Sequence, residues 1–193
     1  FFIFLGITTK AFSQEQIDDI EVIGISPLPG IEIDRNKVPN ASQSLKEIDM
    51  NNSTATTIVD LLGEKLTGVT IKDVQNSPFQ KNLDYRGFTA APLLGESQGL
   101  AVYLNGTRIN EGFGDTLQWE LVPEAALTNI DLMSANPVFG LNALGGSLAL
   151  TTKKGLDYLN TDSSIENHFE VGGADWVNGN IELGAGTETQ GLY

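Results

Sequence analysis

The chain has 193 residues, room for one ordinary domain and a little more, and a formal net charge of −14. Such an acidic balance excludes nucleic acid as a partner, because phosphate binding needs a basic face. With no cysteine and a single histidine, His168, disulfides and thiolate metal sites are excluded as well. No D-x-[DN]-x-[DN]-G calcium loop occurs, so neither a metal nor another cofactor is expected.

The opening FFIFLGI is apolar and leads through Ala11 and Ser13 into the acidic SQEQIDDIE. An apolar run closed by small residues reads as the tail of a secretory signal peptide over residues 1–13; a buried strand is the plain alternative. No run reaches the ~20 apolar residues of a transmembrane helix. Residues 14–34 are extended in character. Ile20, Val22 and Ile23 sit among Asp18, Asp19 and Glu21, and Pro27 and Pro29 block a helix. They predict a short strand, a joint and a second strand at residues 31–33.

A helix is predicted in TATTIVDLLGEKLTGV. Ile58, Leu61, Leu62 and Leu66 form one stripe, Ser53 or Thr54 can cap it, and Gly68 ends it. VTIKDV and LDYRGF read as strands, separated from the next by the loop TAAPLLGESQG. LAVYLNGTRIN is a hairpin signal, with its turn at Asn105-Gly106. WELVPEAALTNIDLMSA predicts a short helix with Pro123 in its first turn. SLALTT is a further strand. Up to Gly155 the order describes a small mixed α+β domain.

Within the run before Gly155, GLNALGGS approaches the phosphate-loop pattern G-x-x-x-x-G-K-[ST], but Gly146 stands where the lysine is required. Residues 156–193 change texture. Ile165, Phe169 and Val171 alternate with Glu166, His168 and Glu170, and a second run carries Ile181, Leu183 and Ala185. Such strands suit a barrel wall with lipid outside, although a soluble sheet alternates in the same way.

The blocks DYRGF, GLAVYLNGTRIN and VPEAALTNIDLMSANPVFGLNALGGSLALTTKKG, in that order, resemble the plug domain of TonB-dependent outer-membrane receptors. The likeness runs from about Ile20 to Gly155. Arg86-Gly87 matches the family's arginine-glycine after the second plug strand. The block from Phe139-Gly140 to Thr152-Lys153, with Gly145-Gly146 inside it, matches the closing motif. Ser134, Ala135, Asn136 and Pro137 depart from the usual Arg-Gly-Pro. Ile20, Glu21, Val22, Ile23 and Gly24 sit where the family carries its TonB box, as a short and degenerate match.

The resemblance implies an α+β fold: a small mixed-sheet plug domain with short helices at residues 35–155, then the first antiparallel strands of an incomplete transmembrane β-barrel at 156–193. Residues 14–34 become a periplasmic segment with the TonB box. Residues 156–193 supply about two strands and the start of a third at ~9–11 residues each, where a plugged barrel has ~22, so the chain is expected to be a fragment. The implied function is active uptake of a scarce nutrient such as a ferric siderophore, haem, cobalamin or glycan. The implied partners are TonB with its inner-membrane energising complex, an extracellular nutrient ligand and the outer membrane. Receptors of this kind are not enzymes, and one histidine in a strand offers no nucleophile–base pair.

Within this frame Arg86, Gly87, Gly140, Gly145 and Gly146 are structural. Glycines let backbones approach closely inside a barrel, and Arg86 is expected to pair with an acid inside the plug or on the missing barrel wall rather than with ligand. The ligand is expected at loops 88–98 and 113–119. There Leu93, Leu94, Phe113 and Trp119 offer apolar contact, and Arg108, Asp115 and Gln118 offer hydrogen bonds. Packing of these aromatics against the barrel wall is the competing reading, favoured for Tyr85 and Phe88. A stand-alone secreted binding domain without a pore is the alternative function. A hydrolase built on Asp18-Asp19 or on Glu120 and Glu124 fits poorly, since solvation and a helix start explain those acids.

Overall fold

The computed structural model describes residues 22–24, 32–34, 37, 39–55, 57–73, 76–77, 80–122, 124–154, 164–172, 176–186 and 191–192. The expected signal segment, Ile20, Glu21 and the joint at Pro27 and Pro29 lie outside them. Strand β1 (Val22–Gly24) pairs antiparallel with β2 (Glu32–Asp34), Ile23 facing Ile33.

Two sheets follow. The larger is mixed and contains β3 (Ser42–Lys46), β7 (Leu100–Leu104), β8 (Thr107–Arg108), β9 (Leu127–Ser134) and β10 (Gly146–Thr152). Its order is β3-β9-β10-β7-β8, with β10 parallel to β7 and the other pairs antiparallel. The smaller sheet is an antiparallel meander of β4 (Val69–Asp73), β5 (Lys81–Tyr85) and β6 (Phe88–Ala90). Helices α1 (Glu47–Asn51) and α2 (Ile58–Lys65) lie between β3 and β4 in the chain.

The core follows from period-two alternation. Leu100 and Val102, Ile130 and Leu132, and Leu148 and Leu150 are all buried, and register places Leu148 between Leu132 and Val102. Ile58, Val59, Leu61 and Leu62 of α2 join the same cluster, with Leu83 and Tyr85 of β5. Each such side chain contributes about 1.5–3 kcal/mol by leaving water. The opposite face of the large sheet carries a smaller cluster of Ala101, Tyr103, Met133, Phe139 and Ala143. The expected stripe of Ile58, Leu61, Leu62 and Leu66 is therefore a core stripe. Its cap is Thr57, whose hydroxyl accepts from the Asp60 N–H at 3.3 Å, rather than Ser53 or Thr54.

The predicted helix at residues 119–135 is a correction. Residues Trp119–Leu121 and Glu124–Ala126 form single 3₁₀ turns, and Leu127–Ser134 is a strand. The spacing of Leu127 and Ile130 suits a helix, but that of Ile130 and Leu132 suits a strand. Pairing with both β3 and β10 satisfies the backbone of β9 on each edge and decides the matter.

Beyond the large sheet, β11 (Ser164–Gly172), β12 (Trp176–Gly186) and β13 (Gly191–Leu192) form an antiparallel ladder that sets Ile165 opposite Leu183 and Glu166 opposite Glu182. The architecture is the expected α+β one: a mixed sheet with short helices, then antiparallel strands, with no closed barrel among the described residues. No helix among the described residues is long and apolar enough to cross a membrane, which leaves open a crossing by strands.

Candidate functional site

Parallel strands β7 and β10 start together, with Leu100 opposite Gly146, and β9 ends there at Ser134. Three connections meet at this end of the sheet: 91–98 after β6, 109–118 after β8 and 140–145 before β10. The first two are tied by Leu117 N–H to the Ala91 carbonyl at 2.9 Å. The third is tied by Gly145 N–H to the Gly99 carbonyl, also at 2.9 Å.

Side chains complete the junction. Asn110 donates to the Leu100 carbonyl (3.1 Å) and accepts from the Val102 N–H (2.7 Å), fastening the hairpin's return to its first strand. Arg108 donates through Nη1 to the Leu141 carbonyl and through Nη2 to Asp115 Oδ1, both at 2.6 Å. The other oxygen of Asp115 accepts from Asn142 Nδ2. Asp115 and Asn142 both adopt left-handed backbone, a conformation short polar side chains tolerate. These loops border an open cleft of about 740 Å³ whose lining includes Glu96, Arg108, Glu111, Asp115, Leu141 and Leu144. Leu94, Phe113, Leu141 and Leu144 are exposed by 61 to 85% at this end. Solvent-facing apolar side chains over a rigid polar junction are what a ligand surface offers. Among the described residues no three His, Cys, Asp or Glu side chains are grouped to hold a metal ion.

The turn between β5 and β6 lies at the same end. Arg86 and Gly87 both have positive φ (54° and 89°), the signature of a tight hairpin turn. Asp84 holds the turn by accepting from the Gly87 N–H at 2.9 Å, and also binds Lys72 at 2.8 Å. Burial is the largest single influence on the Asp84 carboxyl and pushes it up. The Lys72 hydrogen bond, the Gly87 N–H and the Lys72 charge together outweigh burial and hold the carboxyl below its ordinary value. Among the described residues no acid pairs with Arg86, so of the two expected places for its acid, the plug interior and the barrel wall, the plug interior is the one corrected. Its guanidinium lies over the Tyr85 ring, 5.0 Å from the centroid, and donates to Ser134 Oγ at 3.3 Å.

The sequence model of the family described as TonB-dependent Receptor Plug Domain matches residues 34–147. The chain belongs to this plug-domain family. Solved structures share the fold. The alcaligin outer-membrane receptor FauA of Bordetella pertussis superposes with a TM-score of 0.61 at 14% identity, over 86% of this chain and 26% of that one. FpvA of Pseudomonas aeruginosa, bound to a ferric pyoverdine, gives 0.60 at 15% identity, over 85% and 20%. The Serratia marcescens hemophore receptor HasR, in complex with HasA and heme, gives 0.54 at 20% identity, over 78% and 23%. The chain thus spans about a quarter or less of each neighbour's length. No curated protein matches it.

The plug places the sequence-derived residues unevenly. Arg108 and Asp115 meet, Phe113 and Leu94 are exposed, and Leu93 is half-buried. Gln118 is half-buried and donates to the Pro92 carbonyl at 3.3 Å. Trp119 is a correction: it is buried in the main core, and its indole N–H donates to the Ala90 carbonyl at 3.0 Å. The end of the 109–118 loop folds under the sheet edge, where so large an apolar surface is drawn inward. Gly145 and Gly146 have packing reasons. A Cβ on Gly146 would stand 2.7 Å from the Met133 carbonyl oxygen, and one on Gly145 2.4 Å from the Phe88 side chain. Loop 140–145 is the part of the site sequence reasoning missed. Its signal is Leu141 and Leu144, apolar residues in a stretch too glycine-rich and irregular to bury both. Val22, Ile23 and Gly24 of the expected TonB box form β1.

Proposed function

We propose that the chain is the plug region of an outer-membrane receptor that takes up a scarce nutrient, with residues 35–155 as the plug and 156–193 as the first strands of the barrel. The observation that carries this reading is the convergence of loops 91–98, 109–118 and 140–145, with their exposed Leu94, Phe113, Leu141 and Leu144, at one end of the mixed sheet. That end is the floor on which an extracellular ligand is met. The neighbours' ligands, alcaligin, a ferric pyoverdine and heme on its hemophore, make an iron-bearing nutrient the first class to test.

Energy coupling falls to residues 20–24. Their strand β1 pairs with β2 alone among the described residues, so its other edge can accept a strand from TonB. A pull-down of the full-length receptor by a TonB C-terminal domain tests this, since Val22→Pro removes a backbone donor and is expected to abolish capture. Undiminished capture of the proline variant excludes this segment as the box. For the ligand end, Phe113→Ala and Leu141→Ala in the full-length receptor are expected to reduce uptake while leaving export and folding intact. Unchanged uptake in both would remove the cleft from the ligand path.

A further inference from the structure

Resting on the receptor reading, we propose that this cleft selects an uncharged or cationic ligand rich in hydrogen-bond donors and bearing an apolar face, and rejects polyanionic ones. The first observation is charge. Glu96, Glu111 and Asp115 line the cleft against one guanidinium, that of Arg108. The second is how the donors are committed. Arg108 gives Nε to Asn110, Nη1 to Leu141 and Nη2 to Asp115. The amide N–H groups of Asn110 go to the Leu100 and Asp115 carbonyls, those of Gln98 to Ala91 and Leu93, and one of Asn142 to the Asp115 carboxylate. The positive and donating groups of the lining therefore hold the loops together.

Beside one remaining N–H on each of Arg108 Nη1, Arg108 Nη2 and Asn142 Nδ2, what remains on the lining's side chains is accepting. Thr116 donates to Glu111 Oε2 at 2.9 Å, and Oε1 has no hydrogen-bond partner among the described residues. The Glu96 carboxylate likewise has none, although it feels the Lys72 ammonium that Asp84 holds. Neither Lys72 nor Arg86, which lies over Tyr85, is in the lining. A ligand with hydroxyl, amide or ammonium donors satisfies these acceptors, while a polyanion supplies none and meets like charge. Leu141 and Leu144 in the lining, with Phe113 beside it, offer the apolar half of the contact.

The test measures binding to the purified full-length receptor of four probes. They are a ferric tris-catecholate with three negative charges, an uncharged ferric tris-hydroxamate, a ferric tris-hydroxamate carrying an ammonium group, and a neutral oligosaccharide. At least one of the last three is expected to bind about tenfold or more tighter than the catecholate. The double variant E96K/E111K is expected to shift that ratio about tenfold toward the catecholate. Tightest binding of the catecholate to the parent overturns the charge inference and leaves the receptor reading standing. An unchanged ratio in the double variant overturns it as well. Binding of none of the four overturns the ligand inference and leaves the receptor reading standing. Among the three favoured probes, the one that binds separates a cationic from a neutral source of donors.

Discussion

Arg108 Nη2 and Asp115 Oδ1 meet at 2.6 Å, in an ion pair whose side chains are 24% and 20% exposed. The aspartate reaches that position with a backbone φ of 57°, and its other oxygen is taken by Asn142. Asp115→Ala strips the guanidinium of its charge partner and puts a Cβ-bearing residue without a polar side chain in left-handed backbone. The expected cost is about 1–3 kcal/mol of stability. Asp115→Asn keeps a residue that tolerates this conformation and is expected to lose less. Thermal melts of both variants check the order, and an alanine variant that melts with the parent would show the pair to be idle.

Trp119 and Phe113 separate packing from recognition. Trp119 is 1% exposed and Phe113 79%. Trp119→Ala is expected to cost about 3–5 kcal/mol by leaving a cavity and removing the indole's hydrogen bond to the Ala90 carbonyl. Phe113→Ala is expected to stay within about 0.5 kcal/mol of the parent, with its effect on ligand affinity instead. Chemical denaturation and equilibrium binding, measured on the same preparations, are expected to show this crossed pattern.

The glycines of the closing motif are expected to differ in kind. Gly146→Ala drives a Cβ to 2.7 Å from a carbonyl oxygen at the start of the central strand, where the backbone must shift. Overpacking of this sort costs about 1–3 kcal/mol. Gly140 has a φ of 76° with open space around it, so Gly140→Ala meets only the left-handed strain of about 1–2 kcal/mol. Gly140→Asn is expected to recover much of the smaller loss, while Gly146→Asn is expected to recover nothing. Urea melts of the four variants test the distinction.

Asp84 makes stability depend on acid. Its folded carboxyl lies below the unfolded value of about 3.9, because Lys72 and the Gly87 N–H favour the charged form more than burial opposes it. The stabilisation is therefore complete above pH ~4 and is lost as the pH falls through the lower folded value. Asp84→Asn is expected to be less stable than the parent near neutrality, with the gap closing below pH ~4. A gap that stays constant down to pH ~2 would show that the Asp84 charge is not what holds the Arg86-Gly87 turn.

Local chemistry made much of the fold legible. Asn105-Gly106 specifies its own turn, and both residues do have positive φ, 49° and 81°. The Ile58, Leu61, Leu62 stripe shows which side of α2 is buried before any partner is known. Arg86-Gly87 and Gly145-Gly146 are recognisable because conformation or close approach restricts what can stand there. In each case the signal is contained within a few residues.

The sequence by itself determined the order of most elements, the family and the acidic balance of the chain. Tertiary structure decided three things that depend on distant partners. Residues 127–134 are a strand because β3, far away in the chain, and β10, the next strand, complete its hydrogen bonds on either edge. Trp119 is a core residue because the Ala90 carbonyl and the main cluster lie over it, whereas Phe113, six residues earlier, has no such cover. Leu141 and Asn142 join Arg108 and Asp115 only because β10 runs parallel to β7 while antiparallel β8 returns the chain to the end where β10 starts. A side chain's type records what it can do, but whether it packs inward or faces a ligand depends on which surfaces folding brings against it.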